Sequence, residues 1–331
     1  MALPPPSSAA DTVLLVTRSD DFYTVDRVAE EIARRGATPV RVDTDRFPAA
    51  LTLTAALGPD GWRHALDTGA ARVRAEDVVA VWARRLSPPA LDDELDPELR
   101  EGCVRESAAA LRGFLGGLAG RRFVNPLDAD HAAGDKLRQL RLAHELGLEV
   151  PPTLVTNAPD EARAFHAAHG GDVVAKMLTP LSTSMDGGSP FVHTSVVTPE
   201  DLEHLDGLRY APMVFQARVP KARELRVAMV AGRPFAGAID ASGSERGQVD
   251  WRRGRPGEVG WAPGEVPAQV AERLRRLLEA LGLVYGAVDL IVTPDGRHVF
   301  LEVNPGGEWG MLERDLALPI AAALAEALVG R

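Results

Sequence analysis

Apolar positions along this chain switch repeatedly between a period of about 2 and one of about 3.6, the pattern of strands alternating with helices. Residues 12–16 form a short apolar run read as a strand. Val25, Val28, Ala29 and Ile32 then recur at helical spacing, and Gly36 stands where a helix takes a left-handed residue past its end. A second apolar run at 38–42 completes a β-α-β opening, which predicts a parallel pair. Strands are expected over 51–54 and 78–82, an apolar helix over 104–118, and a unit boundary near Pro126. Beyond it the pattern predicts a helix over 136–146, with residues 137, 140 and 143 as its buried stripe and Gly147 as its stop. A strand at 153, a helix over 159–168 and strands over 173–177, 191–197, 213–219, 224–230 and 234–239 follow. Residues 240–263 read as an exposed glycine-rich loop, 266–281 as a helix, and roughly 315–328 as the last helix.

Between those last two helices stands Val288-Asp289-Leu290-Ile291-Val292, then Pro294-Asp295-Gly296-Arg297, then His298-Val299-Phe300-Leu301-Glu302-Val303-Asn304-Pro305. Aliphatic runs around turn chemistry predict a hairpin. With 294–297 as its loop, Asp289 lies opposite Glu302, and Asn304 shares their face. Like charges so placed repel, and a hard cation such as Mg²⁺ would remove the conflict. Other residues bear on the same chemistry. Lys176 sits inside an apolar strand, where an ammonium needs a partner such as phosphate. Arg226 shares a strand face with the small Ala228. The small, hydroxyl-rich segment 179–190 has the composition of a mobile loop that lays N–H groups over phosphates, yet no Walker-type Gly-Lys-Ser/Thr follows it. Arg84 and Arg85 end the strand at 78–82, at the edge where open α/β sheets put ligands. The first strand is followed by Thr17-Arg18-Ser19-Asp20-Asp21, without glycine, which argues against a dinucleotide site there.

Composition narrows the class. A chain of 331 residues has room for two or three units, and its net charge of -10 argues against general affinity for nucleic acid backbone. A single cysteine, Cys103, excludes an intrachain disulfide and fits a reducing compartment. The Pro/Ser-rich residues 1–11 read as a disordered tail without the basic and apolar regions of a signal peptide, and no apolar run reaches membrane-spanning length. The expectation is a soluble cytoplasmic protein that engages neither membrane nor nucleic acid.

The order Lys136, Lys176, small-residue loop, Glu224-Leu225-Arg226, then Asp289 and Glu302-Val303-Asn304-Pro305-Gly306-Gly307 resembles the ATP-grasp superfamily. Trp82-Ala83-Arg84-Arg85, Phe123-Val124-Asn125-Pro126, Lys136-Leu137-Arg138-Gln139-Leu140, Val150-Pro151-Pro152-Thr153 and Asp250-Trp251-Arg252 are similar to the graspetide-synthetase branch, the microviridin-type peptide maturases. The resemblance implies an α/β pre-ATP-grasp domain over 12–126 and two α+β lobes, over 127–213 and 214–331, that clasp ATP with Mg²⁺. Residue by residue it implies phosphate contacts from Lys136 and Lys176 and an adenine hinge at Gln216, Ala217 and Val219. It places Arg226 at the γ-phosphate as the catalytic cation, and Asp289, Glu302 and Asn304 on Mg²⁺. Arg84, Arg85, Asp250 and Arg252 are expected on the acidic core of a ribosomal precursor peptide, and a homodimer is expected. Two departures from the branch stand out. Ala83 replaces the usual aromatic residue, and the hinge lacks an acidic residue. The implied reaction phosphorylates an Asp or Glu side chain, after which a Ser/Thr hydroxyl or a Lys amine attacks to give an ester or amide. No general base is evident, His193 reading best as a strand histidine. The alternatives are an ATP-grasp ligase acting on a small amino acid or a protein terminus, and a non-catalytic ATP- or peptide-binding scaffold.

Overall fold

Strand β1 (Thr12–Thr17) is buried along its whole length, as expected of a central strand covered on both faces. Helix α1 (Tyr23–Arg34) buries Val25, Val28 and Ile32 and ends at Gly36, whose φ of 75° suits only glycine well. β2 (Thr38–Asp43) returns parallel to β1. A three-stranded meander of β3 (Thr52–Gly58), β4 (Gly61–Asp67) and β5 (Arg72–Arg74) precedes β6 (Val78–Ala83), which pairs parallel with β1 on the side away from β2. Helix α2 (Pro97–Gly116) and β7 (Arg122–Val124) complete the unit, in the strand order β2-β1-β6-β7. The chain leaves β1 in one direction and β6 in the other, so their carboxyl ends flank a topological switch point. Arg84 and Arg85 follow β6 there. The computed structural model describes residues 11–59, 61–179, 194–239 and 260–330.

The rest of the chain builds two antiparallel sheets. After α3 (Leu127–Ala133) and α4 (Lys136–Glu145) come β8 (Thr153–Thr156), α5 (Pro159–Ala168), β9 (Val173–Lys176), β10 (Ser195–Val196), α6 (Pro199–Glu203) and β11 (Met213–Ala217), with strand order β10-β9-β11-β8. β12 (Arg223–Val230) and β13 (Arg233–Ile239) form a hairpin through Ala231 and Gly232, both at positive φ. β14 (Trp261–Pro263), α7 (Ala268–Leu281), β15 (Tyr285–Val292) and β16 (His298–Asn304) complete a sheet ordered β14-β13-β12-β15-β16. Helices α8 (Gly310–Leu316) and α9 (Ile320–Val329) end the chain.

Packing corrects several expectations. β11 belongs wholly to the four-stranded sheet, so that lobe runs through Ala217 rather than stopping at 213. Ala143 of α4 is buried with Leu274, Leu277 and Leu278 of α7, on the five-stranded sheet. Ile320, Leu324 and Leu328 of α9 join Val13, Leu15 and Trp82 in one core, so the last helix covers the first sheet. Residues 261–263 are a strand, paired with β13, rather than loop. The single last helix is two, because Ala317 turns left-handed at φ 55° and Pro319 caps the next start. Helix α2 begins at 97 rather than 104, with Pro97 in its first turn and the Asp96 carboxylate accepting from the Glu98 N–H, and Cys103 lies inside it. The α4 stripe is shifted as well: Leu137 is 48% exposed, while Gln139 is only 1% exposed. The loop from residue 180 to 190, residues Phe191 to His193, Asp250 and Arg252 lie outside the described residues.

Candidate nucleotide and metal site

Three neighbouring strands place one charged residue each in a single row. Arg226 on β12 pairs with Asp289 on β15, and Asp289 pairs with Glu302 on β16. The expected register across the hairpin is therefore present, but it is reached differently. The turn spans Thr293 to Arg297, one residue more than expected, closed by the Thr293 N–H on the Arg297 carbonyl at 3.0 Å. That shift is undone further along, because the pairing slips by one residue between Leu290↔Phe300 and Asp289↔Glu302. A bulge at Leu301 thus returns the carboxylates to opposite positions.

Around this row the charges interlock. Arg226 Nη1 donates to Asp289 Oδ1 at 2.8 Å and Oδ2 at 2.9 Å. Lys136 Nζ lies 2.9 Å from Glu302 Oε2 and donates to Asn304 Oδ1 at 3.1 Å. The Asn304 amide nitrogen faces Glu302 Oε1 at 3.0 Å and Asp289 Oδ2 at 3.4 Å. Burial acts to raise the Glu302 carboxyl, but the ammonium charges of Lys136 and Lys176, with hydrogen bonds from Asn304 and Lys136, hold it far below the usual carboxylate range. Lys176 shows the opposite balance. Burial lowers its proton affinity, and the attraction of Glu302 only partly offsets this. Its Nζ donates to the Gln216 side-chain oxygen at 3.2 Å, and among the described residues no carboxylate lies within ion-pair distance.

Lys136 stands where it does because of Gln139. Strand β16 is a sheet edge, and the buried Gln139 amide serves as its missing neighbour. It accepts from the Val303 N–H at 3.0 Å and donates to the Val303 carbonyl at 2.8 Å and the Ala133 carbonyl at 2.5 Å. Helix α4 is thereby pinned with its first residue over Glu302. Asn125 performs a similar service at the start of β15. Its oxygen accepts from the Val284 and Tyr285 N–H groups at 2.9 and 2.8 Å, and its nitrogen donates to the Tyr285 carbonyl at 2.9 Å and the Pro305 carbonyl at 3.3 Å. Neither amide was singled out from sequence. Their signal was faint: a glutamine between two leucines of a helix, and an asparagine before a proline.

An open pocket lies beside the row, lined by the apolar Leu140, Val155, Met177 and Leu301 together with Lys136, Lys176 and Glu302. Apolar walls suit a planar base, and clustered ammonium groups suit phosphates. The residues fit the group they are expected to hold. Lys136, Lys176 and Arg226 against Asp289 and Glu302 leave one surplus positive charge for an anion. Two carboxylates and an amide oxygen form an oxygen donor set suited to a hard cation, once Asn304 turns its amide over. Among the described residues no cluster of three His, Cys, Asp or Glu side chains forms, because the third donor here is an amide. At the expected hinge the Gln216 side chain is committed to Lys176 and Thr153, and the N–H groups of Ala217 and Arg218 bond to the carbonyls of Pro152 and Asp172 at 2.9 Å each. Val219 is half-buried just beyond.

The arginine pair at the switch point divides its work. The Arg84 side chain is 1% exposed, its Nε donating to Asp21 Oδ2 at 2.7 Å and its Nη2 to Glu308 Oε2 at 2.5 Å. Buried between two carboxylates, it is removed from an approaching peptide, contrary to expectation. Arg85 is 32% exposed, with Nη2 3.3 Å from Glu308 Oε2, and remains accessible. Asp21 and Glu308 were not anticipated from sequence. They come from a loop and from the segment after Pro305-Gly306-Gly307, and only folding brings them to one guanidinium.

Comparison with known proteins identifies the family. A family model described as the MvdD pre-ATP grasp domain matches residues 12–131. None of the curated proteins matches the sequence. Among solved structures, macrocyclase MdnB from Microcystis aeruginosa MRC is 47% identical with a TM-score of 0.83, over 96% of this chain and 99% of that one. Macrocyclase MdnC from the same organism, bound with precursor peptide MdnA, is 34% identical with a TM-score of 0.86, over 97% of this chain and 100% of that one. A RiPP-associated ATP-grasp ligase from Chryseobacterium gregarium, in complex with ADP and a leader and core peptide, is 32% identical with a TM-score of 0.88, over 97% of each chain. With identity of this degree over 96% of its length, the chain belongs to the graspetide-synthetase branch of the ATP-grasp superfamily.

Proposed function

We propose that this ATP-grasp ligase cross-links side chains of a ribosomally made precursor peptide, joining Asp or Glu carboxylates to Ser/Thr hydroxyls or Lys amines. The observation that carries the reading is the single row Arg226, Asp289 and Glu302, with Lys136 and Lys176 converging on Glu302 beside an apolar pocket. Bound ATP with Mg²⁺ would supply the phosphoryl group that turns an unreactive carboxylate into an acyl phosphate, whose leaving group is phosphate rather than oxide. Everything else falls to the chain's own side chains. Lys136 and Lys176 bind the phosphates; Lys176 has a particular reason to, since an anion relieves an ammonium whose burial the attraction of Glu302 only partly offsets. Arg226 neutralises charge at the transferred group. Asp289, Glu302 and Asn304 hold the cation. The backbone at Gln216, Ala217 and Val219 borders the base. Arg85 receives an acidic side chain of the peptide, and Asp250 and Arg252 are proposed for the same substrate. Among the described residues no helix is long and apolar enough to cross a membrane. We place the working protein in the cytoplasm, as a homodimer.

The test is mass spectrometry of a mixture of the protein, ATP, Mg²⁺ and a peptide rich in Ser/Thr and Asp/Glu, of the kind a short neighbouring reading frame would encode. Loss of one water mass per cross-link, with ADP and phosphate formed, is expected. ADP formation without that loss would overturn the cross-linking reading and leave the ATP site standing.

A further inference from the structure

Glu308 has no part in the chemistry described so far, yet its side chain and its backbone carbonyl both bond to groups around the site. Its carbonyl oxygen accepts from Arg226 Nε at 3.2 Å and Nη2 at 3.1 Å. Its Oε1 accepts from the N–H groups of Trp309 at 3.0 Å and Gly310 at 2.8 Å. Its Oε2 accepts from the buried Arg84 and from Arg85. The carboxylate and the carbonyl of one residue therefore face two different arginine clusters. Burial acts to raise the Glu308 carboxyl, and the guanidinium charges with the two backbone N–H groups bring it below its ordinary range.

The geometry points to Glu308 as a positioning residue for Arg226. With Nε and Nη2 both held by the Glu308 carbonyl, the guanidinium has one arm left, Nη1, and that arm faces Asp289 and the metal corner. A free arginine rotates about its long side chain; this one is held along one edge and presents the other. The carbonyl can hold it only while the 308–309 peptide unit keeps its orientation. That orientation is set from the far side, by the carboxylate's bonds to Trp309, Gly310, Arg84 and Arg85. The close approach leaves no room for adjustment: a Cβ at Gly307 would stand 2.8 Å from Arg226 Nη2, and one at Gly306 2.8 Å from the Arg84 carbonyl. The first sheet thus supports, through Glu308, the arginine that serves the last one.

This rests on the reading of Arg226 as the γ-phosphate cation, and calorimetry can separate the two. ADP and AMPPNP, each with Mg²⁺, are titrated into wild type, Glu308→Gln, Arg226→Lys and the double variant. Glu308→Gln keeps the size and one oxygen but removes the charge that binds Arg84. It is expected to weaken AMPPNP about tenfold while leaving ADP within about twofold, a discrimination worth about 1.4 kcal/mol. Arg226→Lys should show the same selectivity, and the double variant should be no weaker than Arg226→Lys alone. Equal weakening of both nucleotides, no weakening of either, or additive losses in the double variant would overturn the positioning role. Should Glu308→Gln not fold, Glu308→Asp carries the same test with the charge on a shorter arm. Wild type that binds neither nucleotide would overturn the ATP reading as well, a different outcome from wild type that binds both.

Discussion

Replacing Gln139 with methionine tests how the helix that carries Lys136 is held. Methionine is close to glutamine in length and volume and opens little cavity, so the change isolates the polar contacts. It removes the partner of the Val303 N–H and of the Val303 and Ala133 carbonyls, at a position where Gln139 is 1% exposed and water cannot substitute. An unsatisfied buried backbone group costs about 1–3 kcal/mol, and partial relaxation of the helix leaves about 3 kcal/mol as the net loss. With an unfolding entropy of about 2.1 cal/mol/K per residue, that loss lowers Tm by about 4 °C if the whole chain melts as one unit, and by more if this lobe melts alone. The functional consequence is larger than the thermal one. Lys136 opens α4, and its Nζ meets Glu302 Oε2 at 2.9 Å only because the helix is docked on β16. A shift of about 1 Å breaks a contact of that length, and affinity for ADP with Mg²⁺ should fall about tenfold, or about 1.4 kcal/mol. Differential scanning fluorimetry and calorimetry on the same preparation read both effects. A variant with unchanged Tm and unchanged nucleotide affinity would refute the claim that Gln139 pins the site.

Four further outcomes follow from the charge row. Glu302→Gln removes a cation ligand and the counter-charge of both lysines, and ATP turnover measured by ADP release should drop at least a hundredfold; retained turnover would refute the metal assignment. Lys176→Met should weaken ADP with Mg²⁺ more than tenfold while leaving the melting temperature unchanged or raised, because the burial of the ammonium outweighs the attraction of Glu302. In wild type the same burial, which depresses Lys176 from its ordinary 10.5, makes stability rise with pH up to 10.5, since the unfolded chain binds the extra proton there. Urea titrations between pH 8 and 10.5 should show that rise in wild type and a flatter profile in Lys176→Met. On the acid side the slope has the same sign, stability again rising with pH, although there the shift comes from stabilising the charged form. Glu302 is depressed from its ordinary 4.5, so its contribution is complete above pH 4.5 and is lost as pH falls toward the lower folded-state value. Glu302→Gln should flatten that acid limb, and an unchanged limb would refute the coupling to Lys136 and Lys176.

Local pattern carried much of this protein. The hairpin, its two opposed carboxylates, the buried lysine of β9 and the arginine of β12 were all legible from alternation and turn chemistry, because a strand's faces follow from residue parity alone. The helices of α1 and α7 were legible for the same kind of reason, having one continuous apolar stripe each and a glycine at the end. Parity also survived a wrong turn length, since the bulge at Leu301 restored the register that the longer loop had shifted. What remained hidden depends on residues far apart in the chain. Gln139 reads as an interruption of an apolar stripe until the open edge of β16 arrives beside it, more than a hundred and fifty residues later. Arg84 and Arg85 are indistinguishable as a dipeptide; only the packing of Asp21 and Glu308 around one of them buries it and leaves the other half exposed. Asn125 marks a boundary in sequence and a clamp in space. Each of these is a polar group satisfied by a partner from another element, and periodicity, which compares a residue only with its neighbours in the chain, carries no information about such partners. Tertiary structure decided them because a buried polar group must find its bond wherever the fold brings one.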